Sequence, residues 1–334
     1  MRTGFCSPSN DAASHARCPG HVAGKDCVCE CHAPTAEALA FPAPAHEKPA
    51  ALAEGLHFDL PEAEYFALTD HLSQTGAKKL LPPSCPAKFK AWRDGDREPK
   101  SAAMDLGSVV HKMVLGRGKD FAVRPAHLDS WRTKEAREFA EKARADGLIP
   151  ITPEDHALAT KVAEKVHAHP IAGPLFNRKG EPEVTAVWTD PQTGVKCCAR
   201  FDFLPEKVDG KRLIVPDLKT TASAEVADFG RSVANFGYAL QDAFYTEALQ
   251  VLGIDPDPAF VFVAVEKDAP YCITVGQLSA QDKLLGKALA AHARYLYREC
   301  LADDQWPEYA LDVVEFETPA YHQIKIGDYL RDHA

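Results

Sequence analysis

No stretch of this chain approaches the ~18 consecutive apolar residues that a membrane-spanning helix needs, so no such helix is expected. Met1-Arg2-Thr3-Gly4-Phe5-Cys6 is not followed by the apolar core of a secretion signal, and the expected location is cytoplasmic. There is no Gly-x-x-x-x-Gly-Lys-Ser/Thr, so no phosphate-cradling ATP motor is built in. Basic excess is missing as well: the formal net charge is -10, where a nucleic-acid-binding domain would ordinarily be basic. That balance counts against a broad electrostatic footprint but leaves room for a local basic channel. No internal repeat is visible.

What is present fits a soluble globular chain. It has 334 residues, enough for one large domain or two small ones, and 46% of them are apolar. The ten cysteines are unevenly placed. Cys85, Cys197, Cys198, Cys272 and Cys300 are scattered, which suits small buried hydrophobes rather than a disulfide framework. The others crowd into residues 1–32 beside His15, His21 and His32. Cys18, Cys27, Cys29, Cys31 and His32 could supply the tetrahedral ligands of Zn²⁺, with His15 or His21 as substitutes. The spacing is not a common finger pattern, and a tail of reduced thiols is the alternative. Residues 33–54 are rich in Ala and Pro and read as a linker. Residues 55–305 read as the main domain and 306–334 as a tail, with Trp306, Tyr309, Phe316, Tyr321 and Tyr329 as a possible subunit contact.

The centre of the chain carries the chemistry. Leu213-Ile214-Val215-Pro216-Asp217-Leu218-Lys219 starts as a buried strand. Its pleat puts Asp217 and Lys219 on one face and Leu218 on the other. Pro216 has no N–H to give a ladder, which predicts a bend or bulge. The preceding strand, Val195 to Leu204, sets Cys198, Arg200 and Asp202 on one face against Cys197, Ala199, Phe201 and Phe203. Asp209-Gly210 is a turn signal that predicts an antiparallel hairpin, bringing Asp202 near Asp217. Two carboxylates held together repel, and a divalent cation held by oxygen ligands resolves that, Mg²⁺ or Mn²⁺ rather than zinc. A structural ion pair at a strand end is the competing reading.

Around this pair the chain alternates. Helices are expected from Asp59, after Pro86, over Ser101–Leu115, Thr133–Asp146 and Pro153–His169, with an irregular stretch at Phe121–Trp131. A strand is expected at Glu183–Asp190, helices from Ser223 and from near Phe236, strands at Ala259–Glu266 and Tyr271–Val275, and a long helix over Ser279–Leu301. His111 falls on the apolar face of its helix, as a core histidine or a ligand; Gly107, one turn earlier, would admit a neighbouring backbone. Tyr238, Gln241 and Tyr245 share one face of theirs, within about 60° of arc, and a buried Gln241 would need a partner. His156, His167 and His169 read as surface residues.

An Asp followed on the next strand by Pro-Asp-x-Lys resembles the PD-(D/E)xK nuclease superfamily. Gly107-Ser108-Val109-Val110-His111 resembles the Gly-x-x-x-His helix of its RecB-like branch. Tyr238-Ala239-Leu240-Gln241-Asp242-Ala243-Phe244-Tyr245 resembles the Tyr-x-x-Gln-x-x-x-Tyr helix of that branch. The segment from Thr69 to Trp92 is similar to the opening region of RecE-type exonucleases. The chain thus resembles the RecE-like, or exodeoxyribonuclease VIII-like, domain over roughly residues 56–305.

The resemblance implies an α/β fold with a mixed central sheet flanked by helices. It implies an ATP-independent, metal-dependent exonuclease that digests linear duplex DNA from its ends, 5′ to 3′, for a single-strand annealing recombinase. His111, Asp202, Asp217 and the Leu218 carbonyl would hold Mg²⁺ or Mn²⁺. Asp202, Asp217, Lys219, Gln241 and Tyr245 would form the catalytic set. Glu183, Tyr238, Gln241 and Tyr245 would meet the substrate. Ring-shaped homo-oligomers, here a tetramer, are implied too. Two alternatives stand beside this. One is a Cas4-like or general DNA-repair nuclease, disfavoured because only Cys272 and Cys300 follow the Tyr-x-x-Gln helix, too few for that branch's iron–sulfur cluster. The other is a non-catalytic DNA-binding or zinc-dependent scaffold protein.

Overall fold

A computed structural model describes residues 21–22, 25–26, 52–95 and 102–333. In the first compact unit, Met1–Ala51, two-residue strands His21–Val22 (β1) and Lys25–Asp26 (β2) pair antiparallel. The expected zinc ligands Cys18, Cys27, Cys29, Cys31 and His32 lie outside the described residues, as does His15.

The second unit, Leu52–Ala334, opens with strand Gly55–His57 (β3), helix Glu62–Phe66 (α1) and strand Leu72–Ser73 (β4). Helices Gln74–Leu80 (α2), Pro86–Arg93 (α3) and Ala102–Leu115 (α4) follow. Next come strand Phe121–Val123 (β5), helix Lys134–Ala145 (α5), strand Ile149–Ile151 (β6) and helices Pro153–Ala168 (α6) and Ala172–Phe176 (α7). The central strands are Gly180–Thr189 (β7), Lys196–Pro205 (β8) and Ile214–Thr221 (β9). Helices Val226–Phe236 (α8) and Tyr238–Val251 (α9), strands Ala259–Glu266 (β10) and Ile273–Gly276 (β11), and helices Ala280–Asp303 (α10) and Ala320–Asp332 (α11) complete it.

Side-chain caps start several helices where the sequence offers them. Thr152 and Asp155 form a reciprocal capping box ahead of α6, with Pro153 in its first turn. The stretch expected to be irregular is not wholly so: Phe121–Val123 pairs in parallel with β6. Two apolar residues and one Ala gave too short a run for alternation to register.

The strands form mixed sheets. One has the order β3-β7-β8-β4, with β7 and β8 antiparallel and β4 parallel to β8. The other has the order β11-β10-β9, with β9 parallel to β10. The expected hairpin between the Asp202 and Asp217 strands is therefore corrected: β9 shares its backbone ladder with β10, not with β8. Backbone N–H groups alternate sides along a strand. The Leu218 N–H points towards β8 and donates to the Asp202 side chain at 2.8 Å. Pro216 is two residues earlier and faces the same way, so its missing N–H costs the β9–β10 ladder nothing.

Helices cover both faces. Ala77, Leu80, Phe89, Leu240, Phe244, Ala290 and Tyr297 pack with Val215, Phe260 and Phe262 on one side. Val109, Val110, Val162, Val166 and Phe176 pack with Leu218, Val263 and Val265 on the other. The α/β class and the helix-flanked mixed sheets follow from this arrangement. Cys85, Cys197, Cys198 and Cys300 are buried free thiols, and Cys272 is exposed. Among the described residues no helix is long and apolar enough to cross a membrane. The start of the tail closes its own core: Trp306 stacks on Phe89 with ring centroids 5.7 Å apart and abuts Tyr297 at 6.2 Å.

Candidate active site

Three elements bring the acidic and basic groups together. Strand β9 contributes Asp217 and Lys219 from one face, as the pleat requires. Lys219 Nζ lies 2.5 Å from Asp217 Oδ2. That oxygen is buried and has no aligned hydrogen bond besides this ion pair. Helix α9 contributes Gln241, whose Nε2 donates to Asp217 Oδ1 at 2.7 Å. Strand β8 contributes Asp202, and α4 contributes His111. The His111 Nδ1–H donates to the Gly107 carbonyl oxygen at 2.8 Å, and its Nε2 lies 3.2 Å from Asp202 Oδ2. The neighbour of Gly107 is a side chain rather than a backbone: a Cβ there would come 3.4 Å from Thr220 Oγ1.

The electrostatics follow from burial and pairing. Burial pushes Asp217 up to about 6, with the Asp202 charge adding to the rise and Lys219 opposing it. Burial works against Asp202 as well, but the His111 charge and hydrogen bond, the Lys219 charge and the Leu218 N–H together outweigh it and its pKa is lowered. His111 is desolvated too, yet Asp202 raises it to about 9. Lys219 is raised against its own burial by Asp217 and Asp202. The constellation is two carboxylates and two cations, half-buried except for the fully buried Asp217, where pair interactions are stronger than in open water.

A cleft of about 990 Å³ opens over these groups. His111, Leu218, Lys219, Tyr238, Glu183 and Arg200 line it, along with Lys119 and Lys267. Asp217 is only 1% exposed, at the back. Glu183 faces Asp202 across the β7–β8 ladder, between the pairs Pro182–Phe203 and Val184–Phe201. Its φ of 57° is unusual for a side chain larger than glycine. Arg200 Nε donates to Glu183 Oε2 at 2.6 Å and Nη1 to the Leu60 carbonyl oxygen at 3.0 Å. Tyr238 sits under Lys219, whose Nζ is 5.1 Å from the ring centroid. Tyr245 meets Phe201 and Phe260 edge-on at 5.1 and 5.2 Å, and its hydroxyl contacts Gln241 and the Arg200 backbone. Tyr245 and Gln241 thus support Asp217 from behind and do not line the cleft. His167 hydrogen-bonds Asn177, and His169 accepts from the Ile171 and Ala172 N–H groups.

The donor set suits a divalent cation in kind. It offers two carboxylates, an imidazole and the Leu218 carbonyl, and Asp217 Oδ2 is buried with no aligned hydrogen bond, only the Lys219 ammonium beside it. Among the described residues no three His, Cys, Asp or Glu side chains already surround one point as ligands. His111 and Lys219 instead hold the carboxylate oxygens.

A family model described as a PDDEXK-like domain of unknown function (DUF3799) matches residues 73–315. The chain belongs to this family. No curated protein matches it. Among solved structures, the DUF3799 chain is similar to a "Putative exonuclease" from Eubacterium rectale, at 15% identity and a TM-score of 0.53. The match covers 81% of this chain and 100% of the other. At that identity the likeness is one of fold.

Several residues that line the cleft carry no local sequence signal of a role. Arg200 stood in plain view on the Asp202 face without a role. Lys119 and Lys267 lie in separate loops, and no short-range pattern links them to Asp217. Phe236, expected near the start of a helix, instead closes α8 and lines the cleft.

Proposed function

We propose that this chain is a metal-dependent deoxyribonuclease of the RecE-like type. The observation that carries the reading is the convergence of His111, Asp202, Asp217 and Lys219 at the foot of one basic-lined cleft. Membership of a PDDEXK-like family supports it. His111, Asp202, Asp217 and the Leu218 carbonyl would hold Mg²⁺ or Mn²⁺. Such an ion acidifies bound water and offsets charge on a phosphate undergoing displacement. Lys219, held as a cation by two carboxylates, offsets negative charge on the phosphoryl oxygens. Gln241 keeps Asp217 in orientation. Lys119 and Lys267 attract the DNA backbone locally, although the whole chain is acidic.

The finer assignment rests on the sequence resemblance. It comprises ATP-independent 5′-to-3′ digestion of linear duplex DNA, homo-oligomeric assembly, and delivery of single strands to an annealing recombinase.

End-labelled linear duplex with purified full-length protein tests the reading. Digestion is expected with Mg²⁺ and not with chelator. Asp217→Asn is expected to lose at least about 100-fold in rate, as for a group stabilising the transition state, with an unchanged circular dichroism spectrum. Undiminished digestion by the folded variant would overturn the site.

A further inference from the structure

Helix α8 ends at Phe236, and Gly237 takes the left-handed conformation, φ 71°, that caps α8 and opens α9. Only a residue without a Cβ does this at little cost. The sharp joint leaves Phe236 at the rim of the cleft, 56% exposed. Its ring stacks on Tyr238, with centroids 5.8 Å apart and planes at 28°. Tyr238 in turn stacks on Phe262, at 5.3 Å and 24°. The ladder of rings therefore runs from solvent into the core, and Lys219 lies over its middle rung. Lys78 is 5.7 Å from the Phe236 centroid and donates to the Asn235 carbonyl oxygen at 3.0 Å, but it lines the neighbouring cavity rather than the cleft. An open aromatic ring of this size usually packs away from water. Here Tyr238 backs the ring and Lys78 lies near it, yet more than half of it stays open to solvent.

We propose that Phe236 is a stacking platform for an unpaired base, so that the strand to be cut enters the cleft single-stranded. This rests on the nuclease reading above. Every base offers a π face, so a fixed ring binds a strand without regard to sequence. Lys119 and Lys267 line the same cleft and suit the phosphates on either side of such a base. The ring's link to Lys219 through Tyr238 sets the stacked nucleotide beside the scissile phosphate. A base inside a duplex has both faces occupied and a terminal pair leaves only one free, so single strands and frayed duplex ends are the substrate class that suits the platform.

The test uses full-length protein in chelator, so that nothing is cut. A short fluorescent single-stranded DNA is titrated by anisotropy, intact and with one abasic site moved along it. For the wild type, one abasic position is expected to weaken binding about 5- to 150-fold, the range for loss of one stacked base. In Phe236→Ala that position is expected to lose its penalty, while Phe236→Trp keeps it. The exposed position of the ring makes both variants compatible with folding, and circular dichroism verifies it. A flat abasic profile in the wild type, or an unchanged profile in Phe236→Ala, overturns the platform. If Mg²⁺-dependent cleavage persists in that case, the nuclease reading survives alone. Absence of both binding and cleavage overturns both.

Discussion

Gln241 donates its side-chain N–H to Asp217 across 2.7 Å, from the helix that follows the strand of Asp217 in the chain. Gln241 is 7% exposed and does not line the cleft. Under the proposed nuclease reading, its influence passes through Asp217 rather than through contact with DNA. Partners behind a metal-binding carboxylate are commonly worth about 10–100-fold in metal affinity or activity. Gln241→Ala is expected to raise the Mg²⁺ concentration needed for half-maximal rate by about that factor, with KM for DNA nearly unchanged. A Mg²⁺ titration of the cleavage rate decides it: an unmoved midpoint together with a raised KM would show that Gln241 touches DNA instead.

The next residue on α9 has a different problem. Asp242 is 2% exposed, and its Oδ2 has no hydrogen-bond partner. Burial pushes its pKa up to about 6, against the pull of Lys283, Lys287 and Arg212. The folded value exceeds the unfolded one, 3.8. The folded state therefore binds the extra proton between these values, and stability falls as pH rises through about 6. Above that pH the buried carboxylate costs about 3 kcal/mol relative to an unshifted one. Asp242→Asn is expected to raise stability to urea at pH 8 by roughly 1–3 kcal/mol, with the gain vanishing near pH 4. Equal gains at both pH values, or a loss at pH 8, would contradict this account.

Beyond Pro307 the chain leaves its core. Leu311, Val313, Phe316 and Tyr321 are 88, 96, 91 and 74% exposed, and α11 buries none of its residues. An apolar stretch this open ordinarily has a partner. Trp306 and the Pro307 carbonyl oxygen, which accepts from the Ala87 N–H at 3.2 Å, anchor the chain just before it. Light scattering on the full-length protein is expected to give a homo-oligomer, a tetramer on the sequence resemblance. Truncation after Pro307 is expected to lower the mass while leaving the fold intact. A full-length monomer at micromolar concentration would sink the assembly reading.

Local geometry was legible in the sequence because it is covalent. A pleat of period two settles that Asp217 and Lys219 share a face. A helix of 3.6 residues per turn settles that Tyr238, Gln241 and Tyr245 share another. The alternation of β8 likewise put Arg200 and Asp202 on the side that meets the cleft. Non-local pairing was not legible. The Asp209-Gly210 turn permitted a hairpin, but β10 arrives from later in the chain and takes the ladder of β9. Asp202 then reaches β9 through its carboxylate alone. Tertiary packing also decided that Gln241 faces Asp217, that Tyr245 stands behind it, and that Lys119 and Lys267 share the cleft. The exposure of Phe236 belongs to the same class: the sequence places an aromatic before a glycine, and only the joint between α8 and α9, set against α2 and the sheet, determines that the ring is left open to solvent.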